Sequence, residues 1–122
     1  MVDDLTGTAA DRTPAFAALT CVDRPMSQAE SDAAERAGRE RLWPAVRDLP
    51  GLVSTQVLRA EDRSMVVLAL STGIETHEAA QRAVMATELL PGEDPALLGE
   101  PDRVHVDRVV DVRLPARAGT AS

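Results

Sequence analysis

The order of apolar and polar segments predicts an α+β domain of split β-α-β topology: strand, helix, strand, strand, helix, strand. Three observations carry this. Residues 49–72, LPGLVSTQVLRAEDRSMVVLALST, read as a Pro-Gly break, a strand, a short polar turn and a second strand. A serine with a glutamate three residues on, Ser27 and Glu30, opens a run of helix formers just before that hairpin. A valine-rich alternating run at 104–114 follows a second helical stretch.

Taken in order, residues 1–14 are small, polar and unpatterned and read as a tail, with no apolar run of a signal peptide. The domain is expected over residues 15–114, and residues 115–122 read as a second tail. The first strand is AFAALTCV at 15–22, bounded by Pro14 and by Asp23-Arg24-Pro25. In the first helix Ala29, Ala33, Ala34 and Ala37 recur at helical spacing, with Glu35 and Arg39 paired on the outer face. Pro44 has no amide proton and is expected to disrupt that helix, leaving a last short turn before Pro50-Gly51.

In the second strand alternation sets Leu52, Ser54, Gln56 and Leu58 against Val53, Thr55, Val57 and Arg59. Met65 to Leu70 (MVVLAL) is apolar on both faces. One layer of helices covers only one side of such a strand, so a second sheet is expected on the other, most simply from a second copy of the chain. The second helix is expected from about Glu75 to Leu89, with Ala79, Ala80, Ala83, Val84 and Leu90 on its apolar side and Thr76 or Glu75 near its start. Pro91-Gly92 stops it, and the Pro- and Gly-rich segment that follows reads as a surface loop. In the last strand Val104, Val106, Val110 and Val112 point one way, and His105, Asp107, Val109 and Asp111 the other.

Composition narrows the function classes. The 122 residues are 44% hydrophobic and 27% charged, which is globular, and only 2% aromatic, so the core is aliphatic. The net charge of −7, with arginines scattered among acids, argues against nucleic acid and against an anionic membrane as partners. No apolar stretch approaches the roughly 20 residues needed to span a bilayer. A lone cysteine, Cys21, permits no intrachain disulfide and fits a reducing cytoplasm. Lys, Asn and Tyr are absent while Ala, Val and Arg abound, which points to a GC-rich bacterial genome of actinobacterial type.

The Pro50-Gly51-Leu52 opening, the VLRAED hairpin, the MVVLALST strand, the second helix and the valine-rich last strand together resemble the dimeric α+β barrel superfamily, which includes the antibiotic-biosynthesis-type monooxygenases. The resemblance covers residues 15–114 and implies a ferredoxin-like subunit, an antiparallel sheet with helices on one face, and a homodimer packed sheet to sheet into a barrel with cavities. It also spans cofactor-free monooxygenases, haem degraders, isomerases and proteins without assigned activity, so fold alone does not fix function. Haem-degrading members carry an asparagine on strand one and a tryptophan on strand three. This chain has neither, and matches only with His77 at the second helix. No cofactor is expected.

His105 is the first candidate for chemistry, as a general acid-base group whose ring Asp107, on the same strand face, would orient. Ser54 and Gln56 are expected on that face as ligand-binding groups, with Trp43 and His77 as further candidates. Each has a plainer reading. The His105 face is equally a solvated edge or a dimer contact, His77 a surface histidine between acids, and Trp43 a packing anchor. Cys21 reads as a small buried hydrophobe. The acids Glu88, Glu93, Asp94, Glu100 and Asp102 read as a solvated surface, since prolines interrupt any cation-binding spacing. Two functions remain open: a cofactor-independent monooxygenase or isomerase acting on an apolar, polyketide-like molecule, and a homodimeric ligand-binding or accessory protein without turnover.

Overall fold

The structure, a computed structural model, describes residues 13–115; the tails expected at 1–14 and 115–122 lie almost entirely outside the described residues. Strand β1 is Phe16–Val22, helix α1 Gln28–Ala37, helix α2 Trp43–Val46, strand β2 Leu52–Arg59, strand β3 Met65–Ser71, helix α3 Ile74–Met85 and strand β4 Arg103–Arg108. The strands form one sheet in the order β2-β3-β1-β4, with every neighbouring pair antiparallel. This is the expected split β-α-β topology.

The expected capping box forms in full. Ser27 Oγ accepts from the Glu30 amide at 3.0 Å, and the Glu30 carboxylate accepts from the Ser27 amide at 2.8 Å. The Glu35–Arg39 pair is present at 3.7 Å, on an exposed face where it contributes little. The alanine stripe is rotated from its expected position: α1 buries Ser31 and Ala37, Ala33 and Ala34 are half-buried, and Ala29 is exposed.

The regular helix is disrupted ahead of Pro44 and a last short turn follows, as expected. A π-helical turn at Gly38–Leu42 widens the chain, the Trp43 amide reaches back to the Gly38 carbonyl, and α2 restarts at Trp43. Pro44 thereby sits in the first turn of α2, where its missing amide proton has no partner to lose.

Two element ends fall short of expectation. Helix α3 stops at Met85 because the next residues serve other partners: the Thr87 hydroxyl donates to the Val84 carbonyl and the Leu90 amide donates to Glu93. Leu90 is therefore off the helix. At its start, α3 is capped by Gly73 without a side-chain bond, and Thr76 Oγ1 donates instead to the Pro50 carbonyl at 2.9 Å. Strand β4 ends at Arg108, opposite Phe16 at the start of β1. The last bond of this edge runs from the Val109 amide to the Ala15 carbonyl, and Pro14 beyond it offers no amide. Val110 and Leu114, expected within the strand, lie free of the sheet and are strongly exposed.

Strand register defines the two faces, since residues opposite each other in a ladder share one. A β-bulge at Val53 corrects the expected alternation of β2. Leu52 pairs with Ser71, but Ser54 pairs with Leu70, so Leu52 and Ser54 lie on opposite faces. Ser71 is fully buried and bonded to His77 of α3, which marks its face as the helix-covered one at this end. Apart from Ser71, β3 is only half-buried along its whole length.

Candidate functional site

On the face opposite Ser71 the register lines up three rows. Ser54, Leu70, Ala17 and Asp107 form one, Gln56, Leu68, Leu19 and His105 the next, and Leu58, Val66, Cys21 and Arg103 the third. The four polar candidates from β2 and β4 therefore do share a face, two on each edge of the sheet. Between them lies an aliphatic floor of Ala17, Leu19, Leu68 and Leu70, with no aromatic ring. Three strand spacings separate the edges, about 14 Å, so His105 and Gln56 do not converge within one chain.

On the β4 edge the His105 ring and the Asp107 carboxylate meet, Nε2 to Oδ2, at 3.3 Å. Alternation places both side chains on one face and strand rise brings them within reach. The pair is well exposed, so solvent screens it. What it offers is orientation: a carboxylate holding one ring nitrogen leaves the other to exchange a proton.

The other candidates lie elsewhere. Trp43 and Ser54 come together at the β2 edge, in a pocket of about 380 Å³ walled also by Arg47, Pro50 and Gly51. Trp43 is 41% exposed, so it is a pocket wall and not a buried anchor.

His77 is not a free surface group, because its Nε2 lies 2.8 Å from Ser71 Oγ. Ser71 has a single hydroxyl hydrogen, and that donates to the Gly73 carbonyl at 2.9 Å. His77 must then donate through Nε2–H, which leaves Nδ1 as its free nitrogen. The Ser–His spacing is that of a nucleophile and its base, yet Ser71 is fully buried and its hydrogen is committed elsewhere, so the pair holds α3 to the sheet.

Cys21 is buried as expected. The ion pair of Arg103 with Asp23, at 2.8 Å, lies beside it. This pair holds the Asp23 carboxyl below its usual range.

One buried charge pair was missed. Glu93, read from the sequence as part of a solvated acidic surface, is 3% exposed in its side chain, and its partner Arg41 is 14% exposed. Glu93 Oε1 accepts from Arg41 Nε at 2.9 Å and from the Leu90 amide at 2.6 Å, while Arg41 also donates to Thr87 Oγ1. The Leu90 amide is the main influence lowering the Glu93 carboxyl from its ordinary value; burial opposes it and Arg41 adds to it. A signal was present in the sequence: Arg41 falls four residues after Ala37, on the buried side of the helix. Among the described residues, no cluster of three or more His, Cys, Asp or Glu can hold a metal ion. No helix there is long and apolar enough to cross a membrane.

No protein-family model matches the chain, and no curated protein matches it. Solved structures do. A dimeric ferredoxin-like protein from an uncultured marine organism aligns with a TM-score of 0.61 at 15% identity, covering 86% of this chain and 96% of its own. A monooxygenase from the gene ActVA-Orf6 of Streptomyces coelicolor, in complex with nanaomycin D, aligns at 0.56 and 16% identity, covering 88% and 98%. The protein PA3566 of Pseudomonas aeruginosa aligns at 0.54 and 11% identity, covering 84% and 98%.

The likeness to these solved structures is one of fold, and the chain has a ferredoxin-like α+β architecture.

Proposed function

We propose that the chain forms a homodimer packed sheet to sheet, and that the aliphatic floor of Ala17, Leu19, Leu68 and Leu70 holds an apolar, polyketide-like molecule between the polar edges. In this reading His105, oriented by Asp107, is the acid-base group of a cofactor-independent isomerase or monooxygenase, and Ser54 and Gln56 bind polar ends of the ligand. The single observation that carries it is the His105–Asp107 contact of 3.3 Å on the same face as that floor. An isomerisation needs only a proton removed at one carbon and returned at another. A monooxygenation consumes dioxygen: a substrate methylene becomes a carbonyl, and its two hydrogens leave with the second oxygen atom as water.

A test uses 1,8-dihydroxyanthrone, a phenolic tricycle with an acidic methylene, and follows dioxygen uptake. Wild type is expected to accelerate uptake, and His105→Ala to lose about 10²-fold or more of that rate, the usual contribution of a positioned base. Equal rates in the two proteins would remove His105 from the role.

A second reading, ligand binding without turnover, is favoured by the aromatic-free floor and by the separation of the two polar edges. It predicts saturable binding of nanaomycin D, the ligand of the Streptomyces coelicolor neighbour, with no chemical change in the ligand.

A further inference from the structure

The pocket at the β2 edge shares Ser54 with the edge of the sheet floor, but its other walls, Trp43, Arg47 and the 48–53 segment, are not part of that floor. It lies on the outer edge of the sheet, where β2 has no neighbouring strand, and it spans the bulge at Val53. Bulges commonly re-aim side chains beside binding sites.

Its walls combine three chemistries. Trp43 presents a flat indole, the only tryptophan of the chain. Arg47 presents a guanidinium, 56% exposed, whose one ion-pair contact among the described residues is a loose 4.0 Å approach to Asp48, itself 92% exposed. Ser54, half-buried, adds a hydroxyl. The fourth wall is fixed backbone: the Pro50 carbonyl is tied to Thr76 and the Gly51 carbonyl accepts from the Thr72 amide at 2.9 Å. A pocket of about 380 Å³ suits a ligand of one or two fused rings.

We propose that this pocket binds a small planar aromatic carboxylate, with the ring against the Trp43 indole and the carboxylate on the Arg47 guanidinium. An indole face favours a flat π-system. The planar guanidinium fork matches a carboxylate through two parallel hydrogen bonds, which an ammonium cannot reproduce. Arg47 is the only cation lining the pocket and the exposed Asp48 carboxylate lines it too, which disfavours a ligand with more than one negative charge.

The experiment titrates the full chain with 2-naphthoate and follows the Trp43 indole N–H cross-peak by ¹H–¹⁵N NMR, where it is the only such signal. Saturable movement of that peak is expected. Arg47→Gln is expected to weaken binding about tenfold or more, the loss of a charge-assisted contact, and Arg47→Lys to recover only part of it. Methyl 2-naphthoate should bind as weakly to wild type as the acid does to Arg47→Gln. Exposed as it is, Arg47 has no structural duty, and nanaomycin D binding on the sheet face should be unchanged in both variants. An unmoved indole peak, equal affinity for acid and ester, or an Arg47→Gln protein that binds 2-naphthoate like wild type would each overturn the assignment.

Discussion

Gly51→Ala is the substitution whose cost follows most directly from the geometry. Gly51 has φ of +88°, a region where a side chain costs about 1–2 kcal/mol. Its new Cβ would also collide with Thr76 Oγ1 and lie 3.0 Å from Thr72 Oγ1. Thr76 is 4% exposed and its hydroxyl holds the Pro50 carbonyl. Turning it away breaks that bond and leaves a buried oxygen unpaired, a further cost of about 1–3 kcal/mol. The sum, about 3 kcal/mol, should lower the urea midpoint by roughly 1–3 M for a domain of this size. The assay is urea unfolding of wild type and variant at one protomer concentration, since association shifts apparent stability.

A double-mutant cycle isolates the collision. Thr76→Ala removes the closer of the two hydroxyls that the new methyl meets, so in that background Gly51→Ala should cost the backbone part, about 1–2 kcal/mol, plus a small adjustment of Thr72. If Gly51→Ala changed stability by less than about 0.5 kcal/mol, or if the two costs simply added, the close approach of α3 to the Pro50-Gly51 turn would be refuted.

The Glu93 carboxyl is lowered below 4.5 in the folded protein, chiefly by the Leu90 amide. Its stabilising effect is therefore present above the unfolded glutamate value and is lost as pH falls through the folded one. Glu93→Gln should flatten the fall in stability below about pH 4.5, read by thermal melts at stepped pH; an unaltered acid limb would deny it. Arg41→Met should destabilise more than Arg39→Met, because Arg39 makes only exposed pairs; equal midpoints in urea would contradict the buried bridge. Ser71→Ala should cost about 1–3 kcal/mol by leaving the Gly73 carbonyl and His77 without their partner. It should leave any turnover intact, and selective loss of rate with normal stability would make Ser71 a catalytic group after all.

The topology was legible because it depends on periodicity and punctuation, which are local. The capping box at Ser27 and the Pro50-Gly51 break did what their side chains and backbones require. Element ends were less legible, because they depend on partners distant in the chain. Strand β4 stops where β1 runs out at Pro14, and α3 stops where Thr87 and Leu90 turn to a site shared with Arg41 and Glu93. The same holds for the faces. Alternation put Ser54, Gln56, His105 and Asp107 on one side correctly, but a bulge at Val53 moved Leu52 to the other. Pro44 was legible as a break because a proline has no place in a regular helix interior, but the π-helical turn that leads into it was not. The pocket around Trp43 was invisible as a pocket, since it arises where a helix end and a bulged edge strand meet.

The proposed cavity requires a second copy of the chain covering the aliphatic sheet face. Sedimentation equilibrium tests this directly. The chain mass is 13.0 kDa, and a species of twice that mass across the micromolar range is expected. A stable monomer of 13.0 kDa at the same concentrations would contradict the closed cavity, and with it the proposed role of His105.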